Sequence, residues 1–172
     1  TFAYFKEQGV TIKVISGDNP ATVSAIAQKA GIEGAEDLID ARTLLTEEDL
    51  HQAASQYTVF GRVTPEQKKS LVEGLQAKGH KVAMTGDGVN DILALKTADC
   101  SIAMESGNDA TKKMAQVVLL DSDFGKMPSI VAEGRRVVNN IQRSASLFLI
   151  KNIFSILLAI SVTLLAFTYP IM

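Results

Sequence analysis

Short apolar runs alternate with stretches of helical period along roughly the first 120 positions of the chain, and each change of period is marked by a glycine, a proline or a capping residue. Thr1 to Gly9 reads as the back half of an amphipathic helix. Val10 to Ile15 then predicts a strand. Asn19 suits a helix cap and Pro20 the first turn that follows. Ala21, Val23, Ile26, Ala27 and Ala30 share the apolar side of that helix, and Gly31 ends it. Glu33 to Gln56 is less legible. It predicts a short strand or turn and a helix from about Glu47 to Ala54. Tyr57 to Phe60 is the next strand. Thr64, Pro65 and Gln67 form a capping-box signature for a helix closed by Gly79. Lys81 to Met84 predicts a strand, Gly86 to Gly88 a loop, and Val89 to about Lys96 a helix. Ser101 to Met104 is a strand, Asn108 or Asp109 caps a short helix to Ala115, and Val117 to Leu120 is a last strand. A long helical stretch follows Asp123. This alternation predicts an α/β fold, a Rossmann-like parallel sheet whose ligands sit at the carboxyl ends of the strands. No strand precedes the first helix, so the chain is expected to be a fragment of a longer architecture.

Composition changes the picture in one place. Length and a hydrophobic content of 47% allow one domain and one extra element. The net charge of -2, with no face-length basic patch, gives no support to a nucleic-acid reading, and no nucleic-acid partner is expected. Cys100 is the lone cysteine, His51 and His80 are isolated, and no zinc pattern exists. The acidic residues, however, all precede residue 125 except Glu133, and beyond Arg143 the sole charged residue is Lys151. From Ile153 to Met172 there is none. Leu147 to Tyr169 is therefore long enough to span a bilayer core as a helix, with Lys151 near one end where its amine can snorkel. A buried helix of a large soluble protein is the plain alternative. The expected organisation is a catalytic-type domain over 1–124, a linker helix over 125–146 and a transmembrane helix over 147–169.

Candidate chemistry gathers at the predicted strand ends. Met84 to Asp91 places Gly86, Asp87, Gly88, Asn90 and Asp91 around the end of a strand. Two carboxylates there suit Mg2+, which takes oxygen ligands and shares them with phosphate. Asn90 can donate to a phosphoryl oxygen or hold Asp91 in place. An isolated Gly-Asp-Gly is equally a capped turn with solvated acids; the length of the pattern argues for the site. Upstream, the Ser16 hydroxyl and Gly17 amide can hold phosphoryl oxygens, and Asp18 can bind nucleotide hydroxyls or orient the loop, or the loop is simply a cap shared with Asn19. Lys68 stands three, four and seven residues before Leu71, Val72 and Leu75, so it shares the inner face of its helix. An amine there points at the end of the sheet rather than at water. A solvated lysine paired with Glu73 is the alternative. Together these groups suit phosphoryl transfer to or from a side-chain nucleophile, yet no nucleophile is evident, so the chain alone is expected to be catalytically incomplete.

Residues 16–20, 60–68, 84–91 and 94–99 closely resemble the phosphorylation domain of P-type cation-transporting ATPases, within the wider haloacid-dehalogenase fold. The resemblance covers essentially the whole chain. It implies that Asp87 holds Mg2+, that Asn90 and Asp91 complete the network around a phosphorylated aspartate, and that Lys68 contacts the phosphoryl group. It implies nucleotide and phosphate contacts at Ser16, Gly17, Asp18, Gly86 and Arg62. It also implies that the region from Asp121 leads into a fifth membrane helix, with residues 1–146 cytoplasmic. The family's nucleophile lies in an Asp-Lys-Thr-Gly-Thr motif that this chain lacks, as it lacks the nucleotide-binding and actuator domains. Ser16 stands for the usual Thr, Gly61 for Ala, Ile92 and Leu93 for Ala-Pro, and Glu105 for Gly; none removes a charged role.

The expected function is therefore a part of an ATP-driven, calcium-type cation pump working through an aspartyl-phosphate, with ATP and Mg2+ as cofactors and Ca2+, the bilayer and the missing domains as partners. A soluble metal-dependent phosphatase of the same fold is one alternative, against which the apolar tail argues. An inactive membrane-anchored regulatory fragment is another, in which Lys68, Asp87 and Asp91 would serve no purpose.

Overall fold

The computed structural model describes residues 1–165. Among these residues six strands and seven α-helices alternate as expected, and the strands pair in parallel. They form two three-stranded sheets. In the first, β1 (Val14–Ile15) and β2 (Leu38–Asp40) flank β3 (Val59–Gly61); in the second, β4 (Ala83–Gly86) and β6 (Val117–Leu119) flank β5 (Cys100–Met104). β1 and β4 thus each have one unpaired edge, and no described segment adds a strand to either.

Several boundaries differ from the sequence pattern for local reasons. Only Val14 and Ile15 of the Val10–Ile15 run pair, against Val59 and Phe60. Val10 instead donates its N–H to the Phe5 carbonyl, wrapping the end of α1 (Phe2–Glu7). The strand expected from Lys81 begins at Ala83. Asp99 takes over the preceding residues, accepting from the Lys81 ammonium at 2.7 Å, the Val82 N–H at 3.0 Å and the Gln76 amide at 3.1 Å. These bonds, the Lys81 one foremost, hold the Asp99 carboxyl well below the usual carboxylate range. Residues Val89–Asp91 form a tight 3-10 turn rather than the start of an α-helix, closed by Asp91 N–H to the Gly88 carbonyl, and α5 (Ile92–Thr97) follows. Leu120 lies outside β6 and is exposed.

Helix α4 (Pro65–Ala77) is the wall shared by the two sheets. Its capping box is present, with the Thr64 hydroxyl accepting from Gln67 N–H and the Gln67 side chain accepting from Thr64 N–H. Leu71 is buried with Phe60, Leu50 and Ala54 under the first sheet and α3 (Glu47–Gln56). Its neighbour Val72 is buried with Ala94 and Ala98 of the second half. A Cβ at Gly74 would lie 2.7 Å from the His51 Cα, so the glycine lets α3 and α4 cross at close range. The elements α2 (Pro20–Lys29) and α6 (Asp109–Met114) follow the two strand ends and are capped by Asn19 and Asn108.

Residues Thr1–Lys126 form one compact unit and Met127–Met172 a second. The second is a single continuous helix as far as it is described, α7 (Met127–Leu165). Linker and span are thus parts of one helix. Its 39 residues extend roughly 58 Å, against a bilayer core of about 30 Å. It is the one described helix long and apolar enough to cross a membrane. The expected end of the span, at Tyr169, lies outside the described residues.

Leu71 touches the core of one half while its helix joins both. Leu71→Ala is expected to lower unfolding free energy by about 2–5 kcal/mol, and Thr64→Ala by about 1 kcal/mol. Urea unfolding followed by circular dichroism reads both.

Candidate active site

Helix α4 begins just beyond the carboxyl end of β3, and Lys68 lies in its opening turn. The Lys68 side chain is buried and its Nζ donates to Asp91 Oδ1 at 2.6 Å. Asp91 itself follows the carboxyl end of β4 and is likewise buried. This contact requires the carboxyl ends of β3 and β4 to share a rim. Gly86 makes it possible: a Cβ there would stand 2.6 Å from the Asp91 Cβ. The other carboxylate oxygen, Oδ2, accepts from Gly88 N–H at 3.3 Å. Asp91 is therefore held from two sides.

Asp87, at the mouth of the same loop, is exposed, and its carboxylate has no hydrogen-bond or ion-pair partner among the described residues. Its carbonyl accepts from Asn108 N–H at 2.8 Å, and the Gly88 carbonyl accepts from the buried Thr111 hydroxyl at 2.9 Å. A Cβ at Gly107 would approach the Asp87 carbonyl oxygen to 2.7 Å. The backbone under Asp87 is fixed while its carboxylate stays free. Asn90 is exposed beside it. Among the described residues no group of three or more His, Cys, Asp or Glu side chains forms a metal cage. One free carboxylate suits Mg2+, which retains waters and takes one or two protein carboxylates together with substrate phosphate.

The first motif is folded on itself. Asp18 N–H donates to the Ser16 hydroxyl at 3.1 Å, and that hydroxyl donates to the Asp18 carboxylate at 3.2 Å. Gly17 is exposed with open space around it. The segment after β3 is tied to this loop: Ser16 N–H donates to the Phe60 carbonyl, Arg62 N–H to the Asp18 carbonyl at 2.8 Å, and Val63 N–H to the Ser16 carbonyl. Gly61 allows the approach, since a Cβ there would fall 2.4 Å from the Pro20 nitrogen. Arg62 has a φ of 55°, in the left-handed region. Its guanidinium donates to Asp40 Oδ2 at 2.8 Å.

The structure thus joins Lys68 to Asp91, joins Arg62 to the Ser16–Asp18 loop, and leaves Asp87 and Asn90 without side-chain bonds. Sequence reasoning missed Asp40, Asn108 and Thr111. Asp40 lay in the least legible stretch, and its one signal was the turn spacing to Arg42. Asn108 was read as a helix cap only, and the Thr111 contact joins positions 23 apart.

Hydrolases of the haloacid dehalogenase-like family match residues 1–99 by their family profile. The chain belongs to the haloacid dehalogenase-like hydrolases. Within this family it is similar to the calcium-transporting ATPase CtpE of Mycobacterium tuberculosis, 52% identical over 163 residues, which cover 94% of this chain and 20% of that protein. It is 36% identical to a calcium-transporting ATPase of Bacillus subtilis over 170 residues, covering 96% of this chain and 19% of that one. A solved zinc-transporting PIB-type ATPase in its E2.Pi state superposes with a TM-score of 0.72 at 27% identity, over 98% of this chain and 23% of that chain. The chain spans about a fifth of the length of these curated relatives.

The buried pair generates a stability test. Asp91→Ala leaves the Lys68 ammonium without its counter-charge and is expected to lower stability by roughly 3–5 kcal/mol. Lys68→Met combined with Asp91→Asn removes both charges and should recover most of that loss in the same chemical denaturation assay.

Proposed function

We propose that this chain is the phosphorylation-domain portion, with the first following membrane helix, of an ATP-driven cation pump that works through an aspartyl-phosphate. The observation that carries the reading is the convergence of Lys68 and the Gly86–Asp91 loop on one rim, with Asp87 left free beside them. A lysine held at a sheet end by a buried carboxylate is a fixed positive charge for a phosphoryl group. Asp91 holds the lysine, and Asp87 is the ligand this chain offers to Mg2+. Mg2+ supplies charge neutralisation of the phosphoryl oxygens. Asp91 was expected as a second metal ligand; its two hydrogen bonds favour the positioning role.

The nucleophilic aspartate belongs to a segment outside this chain. The unpaired edges of β1 and β4 support this, because each can accept a further parallel strand. Asn90 donates to the phosphoryl group. Ser16, Gly17, Asp18, Gly86 and Arg62 line the nucleotide side of the same rim. The apolar α7 favours a pump over a soluble phosphatase. Residues 1–146 then lie on the cytoplasmic side and the rest of α7 enters the bilayer. Calcium is the proposed cargo, on the strength of the calcium-transporting names of the CtpE and Bacillus subtilis relatives.

The full-length protein is expected to retain acid-stable label from γ-phosphate-labelled ATP in the presence of Mg2+. Absence of label under conditions of ATP hydrolysis would refute the aspartyl-phosphate. Asp87→Asn should raise the Mg2+ requirement by about 10–100-fold or more, the lower bound being set by what outer-shell partners contribute. An unchanged Mg2+ dependence removes Asp87 from the metal site.

A further inference from the structure

Asp40 ends β2, and its carboxylate is shared by two arginines. Arg42 meets it in a two-point contact, Nε to Oδ1 at 3.1 Å and Nη2 to Oδ2 at 2.8 Å. Arg42 N–H also donates to Oδ1 at 3.1 Å, so Asp40 caps the 3-10 turn over Ala41–Thr43. The carboxylate is thereby oriented, and Oδ2 is also the atom that accepts from Arg62 Nη1 at 2.8 Å. Arg62 comes from the neighbouring strand, one residue beyond Gly61, which pairs with Asp40 in the sheet.

Arg62 is the more constrained partner. Its backbone is in the left-handed region, which a residue of this size adopts only when its surroundings impose it. Its N–H is bound to the Asp18 carbonyl, and the next residue's N–H to the Ser16 carbonyl. A main chain fixed to the Ser16–Asp18 loop and a side chain tethered at one nitrogen leave Arg62 little freedom. Yet the tether uses one of the five N–H donors of a guanidinium, so the rest remain for a ligand. The ion pairs themselves are partly or largely open to water, and exposed pairs add little to stability. Both the Arg42 bonds and the Arg62 bond keep Asp40 ionised, with its carboxyl well below the usual carboxylate range.

We propose that Asp40 is a positioning residue for nucleotide binding: oriented by Arg42, it holds the Arg62 guanidinium beside the Ser16–Asp18 loop, where Arg62 meets the bound ATP. This rests on the assignment of Arg62 to the nucleotide, and acts on affinity for ATP rather than on the phosphoryl-transfer groups.

The test uses the full-length protein, with equilibrium binding of ATP measured by calorimetry and phosphorylation measured separately from ATP and from inorganic phosphate. Asp40→Asn is expected to weaken ATP binding about three- to tenfold and to raise the KM for ATP similarly. It should leave kcat and labelling from inorganic phosphate near the parent values, because that route needs no nucleotide. Arg62→Gln should weaken ATP binding at least as much. In the Arg62→Gln background Asp40→Asn should add nothing, the signature of a residue that acts through another. Asp40→Glu should restore part of the affinity. Tighter ATP binding by Asp40→Asn would overturn the proposal, as would unchanged binding alongside a weakened Arg62→Gln, or additive losses in the double variant. Unchanged binding by Arg62→Gln would instead refute the nucleotide assignment of Arg62 itself.

Discussion

The Lys68–Asp91 contact is the constraint on which the arrangement of residues Thr1–Lys126 depends. Two nearly dehydrated charges at 2.6 Å attract strongly, but each has given up water to be there. The net gain in stability over an apolar pair is therefore small or absent, whereas loss of one partner is severe. What such a pair fixes is geometry. Lys68 belongs to the helix after β3 and Asp91 to the turn after β4, in different sheets. Satisfying both charges requires the two sheets to meet with their carboxyl ends on one side.

That requirement is met by packing rather than by strand pairing. β1 and β4 are not bonded to each other, so no backbone ladder joins the halves. Helix α4 does the joining. Consecutive residues Leu71 and Val72 are buried in different cores, and Lys68 stands one turn earlier on the same face. A helix wedged this way transmits position along a rigid rod from two apolar cores to one ammonium. The glycines complete the arrangement at points of close approach: Gly74 under His51, Gly86 under Asp91 and Gly61 against Pro20. Each removes a Cβ that would otherwise force the elements apart.

Much of this was legible in the sequence because it is written in local chemistry. The capping box at Thr64, the inward phase of Lys68 and the β/α alternation all depend on residues within one or two turns, and the α/β fold with a long apolar helix follows from them. Pairing information is not local. Val10 to Ile15 has the composition of a strand, but only Val14 and Ile15 find partners on β3, while Val10 is taken by the Phe5 carbonyl. Lys81 and Val82 look like strand residues until Asp99 captures their nitrogens. At the site, residue type and spacing alone do not separate Asp87 from Asp91, two acids four apart on one loop, although the family resemblance gives them different roles. The contacts with Lys68 and Gly88 N–H make Asp91 the held acid and leave the Asp87 carboxylate free. The Asp40–Arg62 contact is hidden for the same reason, since the turn spacing of Asp40 to Arg42 says nothing of Arg62.

The distribution of charge on the rim explains why the free acid matters. Lys68 is matched by Asp91, and the pair contributes no net field at a distance. Arg42 and Arg62 share Asp40, which leaves that corner with one positive charge in excess. Asp18 and Asp87 are exposed and have no ion-pair partner among the described residues. The rim as a whole is therefore slightly acidic, a poor receptor for a bare polyphosphate and a good one for a divalent cation. On the proposed reading, a phosphate chain brought in with Mg2+ would reverse this balance, with Asp87 offered to the metal and the arginine corner and the lysine offered to the phosphate oxygens. Positive groups already held by carboxylates need no reorganisation when the ligand arrives, and such preset charges act most strongly in catalysis. On this view each acid of the rim has a separate task, and the separation is set by which cation it touches rather than by its motif.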